Sequence, residues 1–177
     1  MRTPSIVRVS TTLVGMLVVG LIAGFGPAHA AEPTWTGQYS LKRFAATKTG
    51  TSLAATQREP DFADTYTFSS GCIGGVCTAA VVAGPAPANP TLPQPARYTW
   101  DGQKWVHTYD WMWDCYQGPG VPKPYNKAHS VAYYAPQPDG TFTGVWRTDI
   151  ADGPCAGSVV MNVAAYPVRS SAVPFGS

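Results

Sequence analysis

Between Trp105 and Cys115 the chain alternates without a break. Trp105, His107, Tyr109, Trp111, Trp113 and Cys115 fall on one side, and Val106, Thr108, Asp110, Met112 and Asp114 on the other. Successive side chains of an extended strand point to opposite faces, so this run predicts a long half-buried strand with an aromatic inner face. Shorter runs of the same kind occur at Trp35–Phe44, Thr65–Ser70, Val76–Ala83, Arg97–Trp100, His129–Pro136, Thr141–Ile150 and Gly157–Val168, each bounded by Gly, Pro or Asp. Downstream of the first thirty residues no stretch has the periodicity of a helix of several turns. A parallel sheet therefore has no crossover elements to build it.

Turn chemistry ties neighbouring strands together. Asp101-Gly102 reads as a two-residue type I′ hairpin turn, Pro138-Asp139-Gly140 as a looser hairpin, and Gly74-Gly75 as a third turn. The expectation is an all-β fold: an antiparallel meander of about eight strands, closed or nearly closed into an up-and-down barrel, since closure removes exposed strand edges. A two-sheet β-sandwich is the alternative. The segment 84–96 carries five prolines and predicts a stiff, extended loop; Gly118 to Pro124 is similar.

The N-terminus has the form of a secretory signal: Arg2 and Arg8, an apolar run from about Thr11 to Phe25, and Ala28-His29-Ala30 before a cleavage point. The apolar run is shorter than the roughly 20 residues of a membrane span, so a cleaved signal is expected over 1–30 and no stable membrane anchor after it. A single disulfide-bonded β domain is expected over 31–168, with a flexible tail over 169–177. Removing Arg2 and Arg8 from the 12 basic residues leaves 10 against 10 acidic ones, a neutral product with no basic stripe. Nucleic acid is thereby excluded as an expected partner, because the electrostatic attraction that dominates such binding is missing. A secreted monomer, extracellular or in the cell envelope, is the expectation.

Four cysteines in an exported chain read as two bridges. If Gly74-Gly75 is a two-residue turn, Cys72 lies opposite Cys77 at a separation a disulfide can span, and Cys115 is left for Cys155. A zinc site at Cys72 and Cys77 lacks the further ligands that would complete a tetrahedron, so no metal is expected. With both pairs oxidised, no thiol nucleophile remains. No Gly-x-Ser-x-Gly elbow occurs, and the two histidines beyond the signal, His107 and His129, read as packed or surface groups before they read as bases. Asp110 and Asp114 share a strand face but stand roughly 13 Å apart, too wide for a paired-carboxylate mechanism.

No catalytic set and no cofactor are expected, and the aromatic face is the feature left to explain. Trp105, His107, Tyr109, Trp111, Trp113 and Trp146 are the candidate ligand-binding residues, lining an apolar cavity inside the barrel or simply filling it. The expected function is a secreted, non-enzymatic domain that binds an apolar or aromatic-recognised small molecule, or a cell-envelope or host component. An interaction module working through its outer surface and proline-rich loop, and a hydrolase built on His107 or His129, are the alternatives.

Several motifs recur together: Trp35-Thr36-Gly37-Gln38-Tyr39, Phe68-Ser69-Ser70-Gly71-Cys72 followed by Cys77, Tyr98-Thr99-Trp100-Asp101-Gly102 followed by Trp105, Trp113-Asp114-Cys115, Pro138-Asp139-Gly140-Thr141 with Gly144, and Cys155. On these residues the chain resembles small exported proteins of mycobacteria and related actinobacteria, and is similar to extracytoplasmic regions attached to some serine/threonine kinases. The shared motifs are turn and core elements, so the resemblance implies no catalytic residues and carries no kinase activity with it.

Overall fold

The computed structural model of the protein describes residues 33–169. The expected signal over 1–30, and all but the first residue of the expected tail over 169–177, lie outside the described residues. Eight antiparallel strands run β1 (Gly37–Gly50), β2 (Phe62–Ile73), β3 (Val76–Ala83), β4 (Arg97–Trp100), β5 (Trp105–Asp114), β6 (Tyr125–Pro136), β7 (Phe142–Ile150) and β8 (Gly157–Pro167), with one short helix, α1 (Leu53–Thr56), after β1. Each strand pairs with the next in sequence, and β1 pairs with β8 to close the barrel. That last ladder decides against the sandwich.

Strand ends differ from the sequence reading where one residue type disguises another. β2 begins at Phe62 and β6 at Tyr125, both earlier than expected, and β1 extends past Phe44 to Gly50. The extension of β1 is interrupted on its β8 side between Phe44 and Thr49. Thr47 fills the irregularity: its hydroxyl donates to the Phe44 carbonyl at 2.7 Å and accepts from the Asn162 N–H at 2.9 Å. Gly74 and Gly75 both have positive φ between Ile73 and Val76, as a type I′ turn requires. The turn after β4 is centred one residue later than expected. Asp101 keeps ordinary φ while its N–H donates to the Lys104 carbonyl and its carboxylate accepts from the N–H groups of Gln103 and Lys104, so Gly102 alone takes positive φ.

Inward residues pack into two clusters. The larger holds Trp35, Leu41, Phe68, Tyr98, Trp105, Tyr134 and Phe142. Trp35 enters it ahead of β1 with no exposed surface, stacked on Phe68 at 4.2 Å and Phe142 at 4.8 Å between ring centroids. The smaller cluster gathers Trp111, Ala128 and Ile150 around the buried Cys115 and Cys155. Both expected disulfides form, Cys72–Cys77 across the β2–β3 hairpin and Cys115–Cys155 between the end of β5 and the approach to β8. No helix among the described residues is long and apolar enough to cross a membrane.

Candidate functional site

The barrel wall is thin on one side. β4 pairs with β5 only at Thr99↔Val106 and Trp100↔Trp105, whereas β5 pairs with β6 along its whole length. Most of β5, beyond Val106, therefore has backbone groups facing no strand on that side, and the proline-rich loop supplies what β4 does not. The buried Asn89 amide donates to the Met112 carbonyl at 2.8 Å, and the Thr91 hydroxyl accepts from the Met112 N–H at 3.0 Å. Asn89 Oδ1 in turn accepts from the N–H and hydroxyl of Thr91, which locks the loop in shape. Proline cannot donate into a ladder, so side chains take over the pairing that backbone performs elsewhere.

Beneath this loop lies a cleft of about 100 Å³. Its floor is made of inward side chains: Leu41 and Arg43 of β1, Tyr66 of β2, Tyr98 of β4, His107 and Tyr109 of β5 and Trp146 of β7. Pro85, Pro87, Leu92 and Pro93 form its roof. The cleft borrows lining from both core clusters, since Leu41 and Tyr98 belong to the larger one while Leu92 and Tyr109 pack against the smaller. His107 and Tyr109 lie face to face at 4.3 Å between centroids, and Tyr98 stands 5.0 Å from His107.

The charge in this cleft is Arg43. Leu41, Arg43 and Ala45 share one parity along β1, and the flanking pair is buried, so the strand delivers a guanidinium to the interior. Its side chain is 17% exposed and donates to Asp64 Oδ2 at 3.1 Å, and Asp64 is itself on the inward parity of β2. Asp64 therefore pairs with Arg43 from the inward side of β2 while its own side chain stays 43% exposed. The Arg43 guanidinium also lies 5.7 Å from the Trp146 ring. Burial works against its charge, and the oxygens of Tyr134, Tyr66 and Tyr98 more than offset that, so it stays protonated. Burial lowers the His107 pKa below its usual 6.5, against a smaller opposing effect of the Arg97 backbone. Burial likewise pushes the hydroxyl of Tyr109 up to about 12 and that of Tyr98 well above its ordinary value.

Of the six candidates from the aromatic pattern, the structure brings His107, Tyr109 and Trp146 together in the cleft. Trp105 lies fully buried in the larger cluster, against Trp35 and Trp100. Trp111 is buried in the smaller cluster and donates its indole N–H to Ser130 at 2.8 Å, and Trp113 packs 5.4 Å from Trp111 beside the Cys115 bridge. Arg43, Tyr66 and Leu41 were not among the candidates. The available signal was the parity Arg43 shares with Tyr39, Leu41 and Ala45, opposite the polar Gln38, Ser40 and Lys42; a charged residue on an apolar face breaks the pattern that would have placed it inside.

His129 makes a separate arrangement on the outer face, where its Nδ1 lies 2.7 Å from Asp110 Oδ1. Asp149 pairs with His129 in the next strand and is held by Arg147, which keeps its carboxyl below the usual range. Among the described residues no serine or threonine hydroxyl is hydrogen-bonded to either histidine, so the pair has the orienting half of a nucleophile–base arrangement and not the attacking half.

The family model described as the PknI serine/threonine-protein kinase sensor domain matches residues 32–177. The fold is similar to the monomer form of the M. tuberculosis PknI sensor domain, with a TM-score of 0.57 at 15% identity, covering 78% of this chain and 90% of that one. The dimer form of the M. tuberculosis PknI sensor domain aligns with a TM-score of 0.45 at 20% identity, over 67% of this chain and 78% of that one. No curated protein sequence matches the chain.

Proposed function

This chain belongs to the family of PknI serine/threonine-protein kinase sensor domains, and from that premise we propose that it is a non-enzymatic binding module working outside the cytoplasm, with its ligand held in the cleft beneath the proline-rich loop. The observation that carries the reading is the cleft itself. A barrel of this size is ordinarily filled by its own side chains, yet here a wall of Tyr66, Tyr98, Tyr109 and Trp146 faces a space roofed by a separately anchored loop. Flat rings with a few polar groups are what a small-molecule site uses to bury and orient an apolar ligand. Two disulfides with no free cysteine among the described residues fit an oxidising compartment.

Native mass spectrometry of the protein from its own host is the test. Expected is a retained small molecule that Tyr109→Ala and Trp146→Ala variants lose; a ligand kept by both variants, or carried elsewhere on the barrel, overturns the assignment. Export by a cleaved signal predicts a mature N-terminus at Ala31, and a monomer is expected by sedimentation.

A second reading rests on the tip of the β2–β3 hairpin, where Ile73 is 89% exposed and Val76 58% exposed beside the Cys72–Cys77 bridge. A rigid apolar tip of this kind fits protein contact. Ile73→Asp would then abolish capture of an envelope protein while leaving the cleft ligand in place, and unchanged capture would rule the reading out.

A further inference from the structure

Resting on that assignment of the cleft, we propose that its ligand is a small organic carboxylate, with its anionic head on Arg43 and a flat apolar body against Tyr109 and Trp146. Placing a guanidinium on the inward face of a barrel strand is costly, and the structure compensates for it only in part. Asp64 takes one N–H at 3.1 Å from a position 43% exposed, and the Tyr66 hydroxyl stands beside the group. An arginine carries more N–H donors than these two partners use. Its planar fork matches a carboxylate in two parallel hydrogen bonds, a geometry that a tyrosine-lined site cannot otherwise satisfy.

The other lining residues narrow the class. Leu41, Val81, Leu92 and Pro87 give the walls an apolar surface. Arg43 and His107 are the ionisable residues of the lining apart from the tyrosines, and burial keeps His107 neutral near neutral pH, so the lining offers a cation no counter-charge. An amine would meet the guanidinium. The space of about 100 Å³ is below the several hundred Å³ of pockets that enclose drug-sized ligands, which disfavours a long acyl chain or a fused ring system and leaves a single ring as the largest body the open cleft takes.

Calorimetric titration of the disulfide-intact protein with phenylacetate, phenylacetamide and phenethylamine separates the possibilities. Expected is binding of phenylacetate at least tenfold tighter than of phenylacetamide, weakening as salt is raised, with no binding of the amine. Arg43→Gln is expected to bring acid and amide to equal affinity. Because that variant could fail to fold, Asp64→Asn provides the second arm: by removing the competing carboxylate it is expected to tighten acid binding several-fold and leave amide binding unchanged. Acids and amides binding alike to the unaltered protein, or an acid preference surviving Arg43→Gln, overturns the carboxylate proposal while leaving the cleft assignment standing. If no probe of any class binds, the carboxylate proposal falls, while the cleft assignment is judged separately by whether the ligand retained in native mass spectrometry is lost from Tyr109→Ala and Trp146→Ala.

Discussion

Single side chains in this barrel are held by hydrogen bonds that have no substitute nearby. Ser130 is fully buried and links the Trp111 indole N–H to the Thr148 hydroxyl, both at 2.8 Å. Ser130→Ala leaves two buried polar groups without that partner, and a loss of about 2 kcal/mol is expected in urea unfolding. His107 makes a pH prediction. Its folded-state pKa lies below the unfolded value near 6.5, so the unfolded chain binds the extra proton first. The stability His107 contributes is complete above that value and is lost as pH falls through it toward the folded pKa. Unfolding midpoints measured between pH 8 and pH 5 are expected to fall, and the part due to His107 to vanish in His107→Gln; an identical profile in the variant would contradict the buried placement. At this scale the sequence told little. The histidine was legible as a member of an aromatic face, but Arg43 was not legible as an interior group, because an arginine at the end of the Tyr39–Leu41 alternation reads as the point where the apolar face stops until neighbouring strands enclose it.

Among the elements, the loop over 84–96 does most to shape the site, and the two bridges fasten the barrel away from it. The loop was legible as stiff and extended from its prolines, but its role as a roof was not: β4 begins only at Arg97, and nothing local says that the chain before it folds back to serve the Met112 backbone on the side of β5 that no strand reaches. Asn89→Ala removes the amide that bonds the Met112 carbonyl and the oxygen that organises Thr91. Faster proteolysis within 84–96 and weaker ligand retention are expected, with the global unfolding midpoint moved by about 1 kcal/mol; unaltered cleavage would show that the loop is held otherwise. The bridges differ in span. Cys115–Cys155 closes 40 residues and Cys72–Cys77 closes 5, so chain entropy assigns the first about 4 kcal/mol and the second about 2 kcal/mol. Replacing each pair by serine is expected to preserve that order in thermal unfolding. Gly144 is a tighter constraint than any turn glycine: a Cβ there would sit 1.7 Å from the Tyr133 carbonyl oxygen, so Gly144→Ala is expected to destabilise the β6–β7 ladder measurably.

For the whole molecule the interior tyrosines set an alkaline limit. Burial pushes the hydroxyls of Tyr109 and Tyr134 up to about 12 from their ordinary 10. A raised folded pKa means that the contribution of these groups is fully present below pH 10 and is lost as pH rises toward 12, by up to about 3 kcal/mol for each. Ultraviolet titration is expected to show a late tyrosinate phase that coincides with loss of the barrel; ionisation of every tyrosine near pH 10 with the fold intact would contradict it. Features that depend on neighbours along the chain were legible before any fold was known. Period-two alternation made strands, Gly74-Gly75 made a hairpin and set Cys72 opposite Cys77, and the lack of helical periodicity excluded a parallel sheet. Contacts between residues far apart in the chain settled the rest: that β1 closes on β8, that three of the six aromatic candidates share one cleft while three pack in or against the core clusters, and that Arg43 meets Asp64 across β1 and β2. Alternation says which residues share a face of one strand; only the registers around a closed barrel say which faces meet, and at what height.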